Sequence, residues 1–189
     1  MGSTFTRLEV ERPFALIGFV PGALGEYLNF MRRQLVPGCA FKSHVTLLPP
    51  QVLSESAADL SKNLHYKLLA VQALEIGLGE VEAFPATGVV FLGIAAGRSV
   101  LEQVHGLLAQ DEFSGEEAFP FHPHVTLAQD FAPLQPAELM EHARSLWKSW
   151  KGERNFVLDR VSFVQGVDPG AWETVSEHDL SRARLPRTV

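Results

Sequence analysis

Apolar residues in this chain fall into short unbroken runs that alternate with longer stretches of helical spacing. Phe14–Val20 is an apolar run of strand length, punctuated by Pro21-Gly22. Ala23–Leu35 then carries Leu24, Leu28, Met31 and Leu35 on one helical face, and Pro37-Gly38 stops it. His44–Leu48 reads as a strand closed by Pro49-Pro50, and Ser54 or Ser56 suits the cap of a helix running to about Gln72. Leu74–Glu82 is a strand, Phe84–Gly88 a turn, and Val89–Ala95 a second buried strand. Ser99 to about Gln110 is a helix, followed by an acidic, glycine-containing loop, Asp111–Pro120, and a strand, His122–Ala128. Pro136 fits the first turn of a helix ending near Lys151-Gly152. Phe156–Val167 and Trp172–Ser176 are strands around the turn Asp168-Pro169-Gly170.

The order strand–helix–strand–helix–strand–strand thus occurs twice. Phe14–Val20 corresponds to Val89–Ala95 and Leu74 to Leu158, while Gly88 and Gly170 mark equivalent hairpins. The expected fold is α+β with pseudo-two-fold symmetry. It is one domain over residues 1–189, made of two similar lobes at roughly 13–88 and 89–178, with exchange of strands between them left open.

One tetrapeptide recurs unchanged at equivalent places in the two halves, His44-Val45-Thr46-Leu47 and His124-Val125-Thr126-Leu127. Side chains alternate along a strand, so His and Thr share one face while Val and Leu share the other. If the lobes face each other, two imidazoles and two hydroxyls converge. A neutral imidazole takes a proton from water and an imidazolium gives one to a departing oxygen. Threonine hydroxyls donate to phosphate oxygens as charge collects there. Either copy alone reads better as an ordinary strand with a satisfied histidine; two identical copies in a duplicated fold point to chemistry.

Composition narrows the ligand. The net charge of −6, with Lys and Arg scattered except for Arg182, Arg184 and Arg187 near the end, argues against a long nucleic-acid track. A small ligand or an RNA terminus remains. A single cysteine, Cys39, excludes an intramolecular disulfide and fits a reducing compartment. The first residues lack an apolar signal core, and no apolar run reaches membrane-spanning length, so the expected location is the cytoplasm.

The two His-x-Thr motifs, each followed by an apolar residue, resemble those of the 2H phosphoesterase superfamily, which includes 2′-5′ RNA ligase-like proteins and cyclic phosphodiesterases. The likeness extends from about Phe14 to Ser176 in element order. It implies a bilobal fold, two antiparallel sheets lining a central groove with helices outside. It also implies hydrolysis of a 2′,3′-cyclic phosphate, on a nucleotide or RNA end, with no cofactor and no metal. His44 and His124 would be the acid and base in an order the sequence leaves open, and Thr46 and Thr126 would hold the phosphate.

Alternation also places Lys42 on the His44 face and His122 on the His124 face, both as candidate phosphate contacts. Phe41, Phe84 and Phe121 are candidates for stacking a base, and His65, His105, His142 and His178 read as surface or capping residues. Three other readings stay open: a zinc hydrolase using His44, His122 and His124; a non-catalytic binder of a phosphorylated ligand or RNA end; and RNA 2′-5′ ligation by the reverse reaction. No membrane contact or stable protein partner is expected, and the chain is expected to be a monomer.

Overall fold

The computed structural model describes residues 12–129, 136–168 and 171–181. The expected turn at Pro169-Gly170 and the arginines 182, 184 and 187 lie outside these residues. The elements run β1 (Phe14–Phe19), α1 (Gly22–Leu35), β2 (His44–Gln51), α2 (Ala57–Leu68), β3 (Leu74–Ala83), β4 (Val90–Ala96) and α3 (Arg98–Leu108). A single 3-10 turn, Asp111–Phe113, follows, then β5 (His124–Ala128), α4 (Pro136–Ser149), β6 (Asn155–Leu158), β7 (Arg160–Asp168) and β8 (Ala171–Asp179).

The strands form one antiparallel sheet in the order β6-β3-β4-β5-β2-β1-β7-β8. Two separate sheets were expected; instead, two four-stranded halves join at the middle. The link is the pairing of β2 with β5 at Val45 and Val125. One half, β3 to β6, comes from the middle of the chain, and the other joins β1 and β2 to β7 and β8 from its two ends. β3 pairs with β4 and β6, whereas the β7–β8 hairpin pairs with β1. The single strand expected over Phe156–Val167 is therefore two: the chain changes halves at Asp159, between β6 and β7.

Local chemistry explains most element ends. Asp59 N–H donates to the Ser56 hydroxyl at 3.2 Å, which selects Ser56 over Ser54 as the cap of α2. α3 opens at Gly97, whose φ of 84° is a left-handed conformation that suits glycine. β2 does not stop at the prolines but continues to Gln51, which pairs with Phe14. The β1–β2 register shifts between Phe14 and Leu16, an irregularity that accommodates residues lacking an N–H.

The apolar stripes of α1–α4 close over one face of the sheet in one contiguous core. Val45, Leu47, Val125 and Leu127, all 0% exposed, belong to it. On β1, Phe14 and Leu16 join this core, while Ala15 and Ile17 form a small cluster with Val164 on the opposite face. That opposite face is the one left free for a ligand.

Replacing Leu47 or Leu127 by Ala is expected to cost about 2–5 kcal/mol, as for other large-to-small changes in a packed interior. Urea denaturation measures it. A loss below about 1 kcal/mol in either variant would contradict the packing of the motif strands against the helices.

Candidate active site

In both β2 and β5 the first four residues alternate between half-buried and buried. His44, Thr46, His124 and Thr126 are the half-buried ones, and all four line a groove of about 780 Å³. The pairing at Val45 and Val125 fixes this arrangement, because both valines point into the core and their neighbours must point away. A volume of that size accommodates a small organic ligand and is far larger than one phosphate group requires.

The two histidines are held identically. His44 Nδ1 hydrogen-bonds the Lys42 carbonyl at 2.7 Å, and His124 Nδ1 the His122 carbonyl at 2.6 Å. A carbonyl only accepts, so each ring must carry its proton on Nδ1, leaving Nε2 as the atom able to exchange a proton with a ligand. Aromatic edges flank both rings. Phe19 meets His44 with centroids 6.4 Å apart and planes at 85°, and Phe84 meets His124 at 5.1 Å and 84°.

Burial pushes the His44 pKa down from its ordinary value near 6.5 to about 4. The bond to Lys42 opposes this shift, while the Arg32 guanidinium and His124 add to it. His124 is lowered as well, first by burial and then by neighbouring His122, against the bond to the His122 carbonyl. Both imidazoles are therefore neutral at neutral pH.

The remaining candidates divide. Lys42 gives its backbone carbonyl to His44, but its side chain is exposed and its Nζ lies 5.9 Å from the Phe19 ring centroid. His122 lines the groove and accepts from Arg98 Nη2 at 3.1 Å; burial, then Arg98, lower its pKa. Phe41, Phe84 and Phe121 all line the groove, joined by Trp172, which lies 6.1 Å from Phe41 between ring centroids. Among the described residues no three His, Cys, Asp or Glu side chains are grouped to hold a metal ion.

Two of the histidines expected at the surface are not there. His105 bonds the Leu47 carbonyl through Nδ1 at 2.8 Å, pairs with Glu117 through Nε2 at 3.0 Å, and stacks on Phe121 at 3.8 Å. It thereby ties α3 to the back of the motif strand and to the loop that walls the groove. His178 is buried and shares a 2.9 Å hydrogen bond with Ser176. Helix or strand position alone does not reveal which flank a neighbouring loop will cover.

The residue that sequence reading missed is Arg32. It lines the groove from α1 while being only 3% exposed, and its Nη1 donates to the Thr126 carbonyl. A signal was available: Arg32 follows Leu28 by four residues and so falls within the apolar stripe of Leu24, Leu28, Met31 and Leu35, where a charged residue has to have a reason.

Known proteins share this architecture. The E. coli LigT structure complexed with NADP+ superposes with a TM-score of 0.60 at 19% identity, covering 91% of this chain and 99% of LigT. LigT complexed with 3′-AMP gives 0.59 at 17% identity, with the same coverage. In sequence, the Halalkalibacterium halodurans protein named "Putative phosphoesterase BH1439" is 23% identical over 151 residues, spanning 75% of this chain and 85% of that protein. The sequence profile of the 2′-5′ RNA ligase superfamily matches residues 41–169, a stretch that contains both His-x-Thr motifs. This chain belongs to the 2′-5′ RNA ligase superfamily, the 2H phosphoesterases.

Proposed function

We propose that this protein is a metal-independent phosphodiesterase that hydrolyses a 2′,3′-cyclic phosphate, on a nucleotide or RNA end, by two-histidine acid–base catalysis. The observation that carries the reading is the duplicated pinning of the imidazoles. Each is held by Nδ1 on the carbonyl two residues earlier, and each has a threonine two residues later on the same face of the strand. Superfamily membership agrees with it, as do the LigT structures holding 3′-AMP and NADP+. In this reading the two halves of one domain, each supplying one motif, grip the phosphate from opposite sides. The protein works as a cytoplasmic monomer, and no helix among the described residues is long and apolar enough to cross a membrane.

The proton balance is simple. One neutral Nε2 takes a proton from water as the water oxygen bonds to phosphorus. The other, present as imidazolium, gives its proton to the ribose oxygen as the P–O bond breaks, and the rings then re-equilibrate with solvent. Thr46 and Thr126 donate hydrogen bonds to the non-bridging oxygens, where charge accumulates. The Arg32 guanidinium beside His44 lowers its proton affinity and so helps hold it in the neutral form from which a base starts, which assigns His44 as base and His124 as acid. The acid is neutral at neutral pH, so the arriving phosphate anion must favour its protonated form. The same two transfers run backwards would join a cyclic phosphate to a hydroxyl. The superfamily's name makes that direction worth assaying alongside hydrolysis.

With the four nucleoside 2′,3′-cyclic monophosphates and excess EDTA, turnover should yield a single phosphate isomer. His44→Ala and His124→Ala should each lower kcat/KM by about 10²–10⁴-fold, and the double variant by much less than the product. Undiminished hydrolysis in either single variant would exclude the two-histidine mechanism.

Acid should destabilise the unliganded protein. In the unfolded chain His44 binds its proton near pH 6.5, but in the fold only near 4. Stability is thus full above the unfolded value and falls as pH drops from about 6.5 to about 4. Melting curves across this window should show a shallower fall in His44→Gln than in wild type. Identical slopes would contradict burial of a neutral His44.

A further inference from the structure

Four arginines elsewhere in the fold keep company with carboxylates. Arg98 pairs with Glu102, Arg144 with Glu141, Arg154 with Glu80, and Arg160 with Asp179 and Glu177. All four have side chains 38–57% exposed. Arg32 differs on both counts. It is 3% exposed, and among the described residues it makes no ion pair. Its partners are the Thr126 carbonyl at Nη1 and the Cys39 sulfur, 3.5 Å from Nη2, and its Nε has none.

A buried guanidinium without an anion is unfavourable, since neither a carbonyl nor a sulfur replaces the water it loses. An acidic chain with 22 Asp and Glu residues has carboxylates to spare, and none is used here. The guanidinium lines the same groove as His44, Thr46, His124 and Thr126. α1 is anchored there independently, through the Ser43 N–H donating to Asn29 Oδ1 at 2.6 Å, so Arg32 is not needed to hold the helix onto β2.

We propose that Arg32 is the fixed cation of the phosphate site. It is a positioning residue whose charge draws the phosphate onto Thr46 and Thr126, and whose Nη1 holds the strand that carries Thr126. The assignment rests on the phosphate reading given above. It explains why an arginine occupies the apolar stripe of α1: the ligand, not the protein, supplies its counter-charge. It also gives His44 a permanent positive neighbour that adds to burial in keeping the ring neutral.

The test uses full-length wild type, Arg32→Met and Arg32→Lys, with inorganic phosphate as the probe for melting curves and a nucleoside 2′,3′-cyclic monophosphate for kinetics. Without phosphate, Arg32→Met should melt no lower than wild type, because it removes an unpaired buried charge. Its phosphate-induced rise in melting temperature should vanish, and its KM should rise roughly tenfold or more, as expected when a buried charge–charge attraction is lost. Arg32→Lys keeps the charge and should keep the rise. The charged or titratable side chains facing His44 are Arg32 from α1 and His124 from β5. Removing Arg32 should therefore move the acid limb of kcat/KM to higher pH, which loss of a merely structural residue would not do.

The full phosphate-induced rise in Arg32→Met, or an unmoved acid limb, overturns the proposal. If Arg32→Met does not fold, Arg32→Lys decides: a retained phosphate response supports the proposal, and a folded variant without one overturns it. Wild type that neither responds to phosphate nor turns over cyclic phosphate would overturn the phosphate reading itself, and this proposal with it.

Discussion

The two halves of the sheet meet where β2 pairs with β5, at Val45 and Val125, and the geometry of the site depends on that contact. In an antiparallel pair, opposed residues point to the same face. With both valines in the core, the histidines and threonines on either side of them all face the groove. A slip of one residue in either strand would turn Val and Leu to the groove and bury a histidine under the helices. The buried faces of Leu47 and Leu127 resist that slip, so packing on one side of the sheet enforces the chemistry on the other.

Burial then sets the electrostatics. The same partial enclosure that orients the imidazoles lowers their proton affinity, and Arg32 lowers that of His44 further. The protein's own groups leave the groove with two rings kept neutral by desolvation and a guanidinium without a carboxylate among the described residues. In the proposed reading a phosphate supplies the guanidinium's counter-charge and favours the protonated form of His124, while His44 stays neutral as the base. Stability of the free protein is given up for affinity, a familiar exchange at sites where function requires buried polar groups.

The groove is walled on both flanks by aromatic rings. Phe41 and Trp172 stand on the β2 side, and Phe84 and Phe121 on the β5 side. His105 helps hold the second wall in place, since it reaches from α3 to the Leu47 carbonyl, to Glu117 and to the face of Phe121. The flat faces available there suit rings on a ligand better than an extended charged backbone does. This agrees with an acidic chain in which the one buried arginine among the described residues lines the groove.

The chain's own pattern determined the α+β class, most of the elements and the recurrence of one tetrapeptide on two strands. Those features are local: strand alternation and helical periodicity are written in consecutive residues, and an identical tetrapeptide in two otherwise diverged halves is visible without coordinates. Tertiary structure decided what depends on residues far apart in sequence. One sheet forms instead of two because β2 and β5 happen to pair, and the strand expected over Phe156–Val167 breaks at Asp159 because its two ends are claimed by β3 and β1. Ser56 and not Ser54 caps α2, a choice between neighbours that hydrogen-bond geometry alone makes. Arg32 sits 12 residues from the first motif histidine and 94 from the threonine whose carbonyl it holds. No periodicity links those positions; only the packing of α1 against β5 does, and so the charge lining the groove was the part of the site the sequence kept hidden.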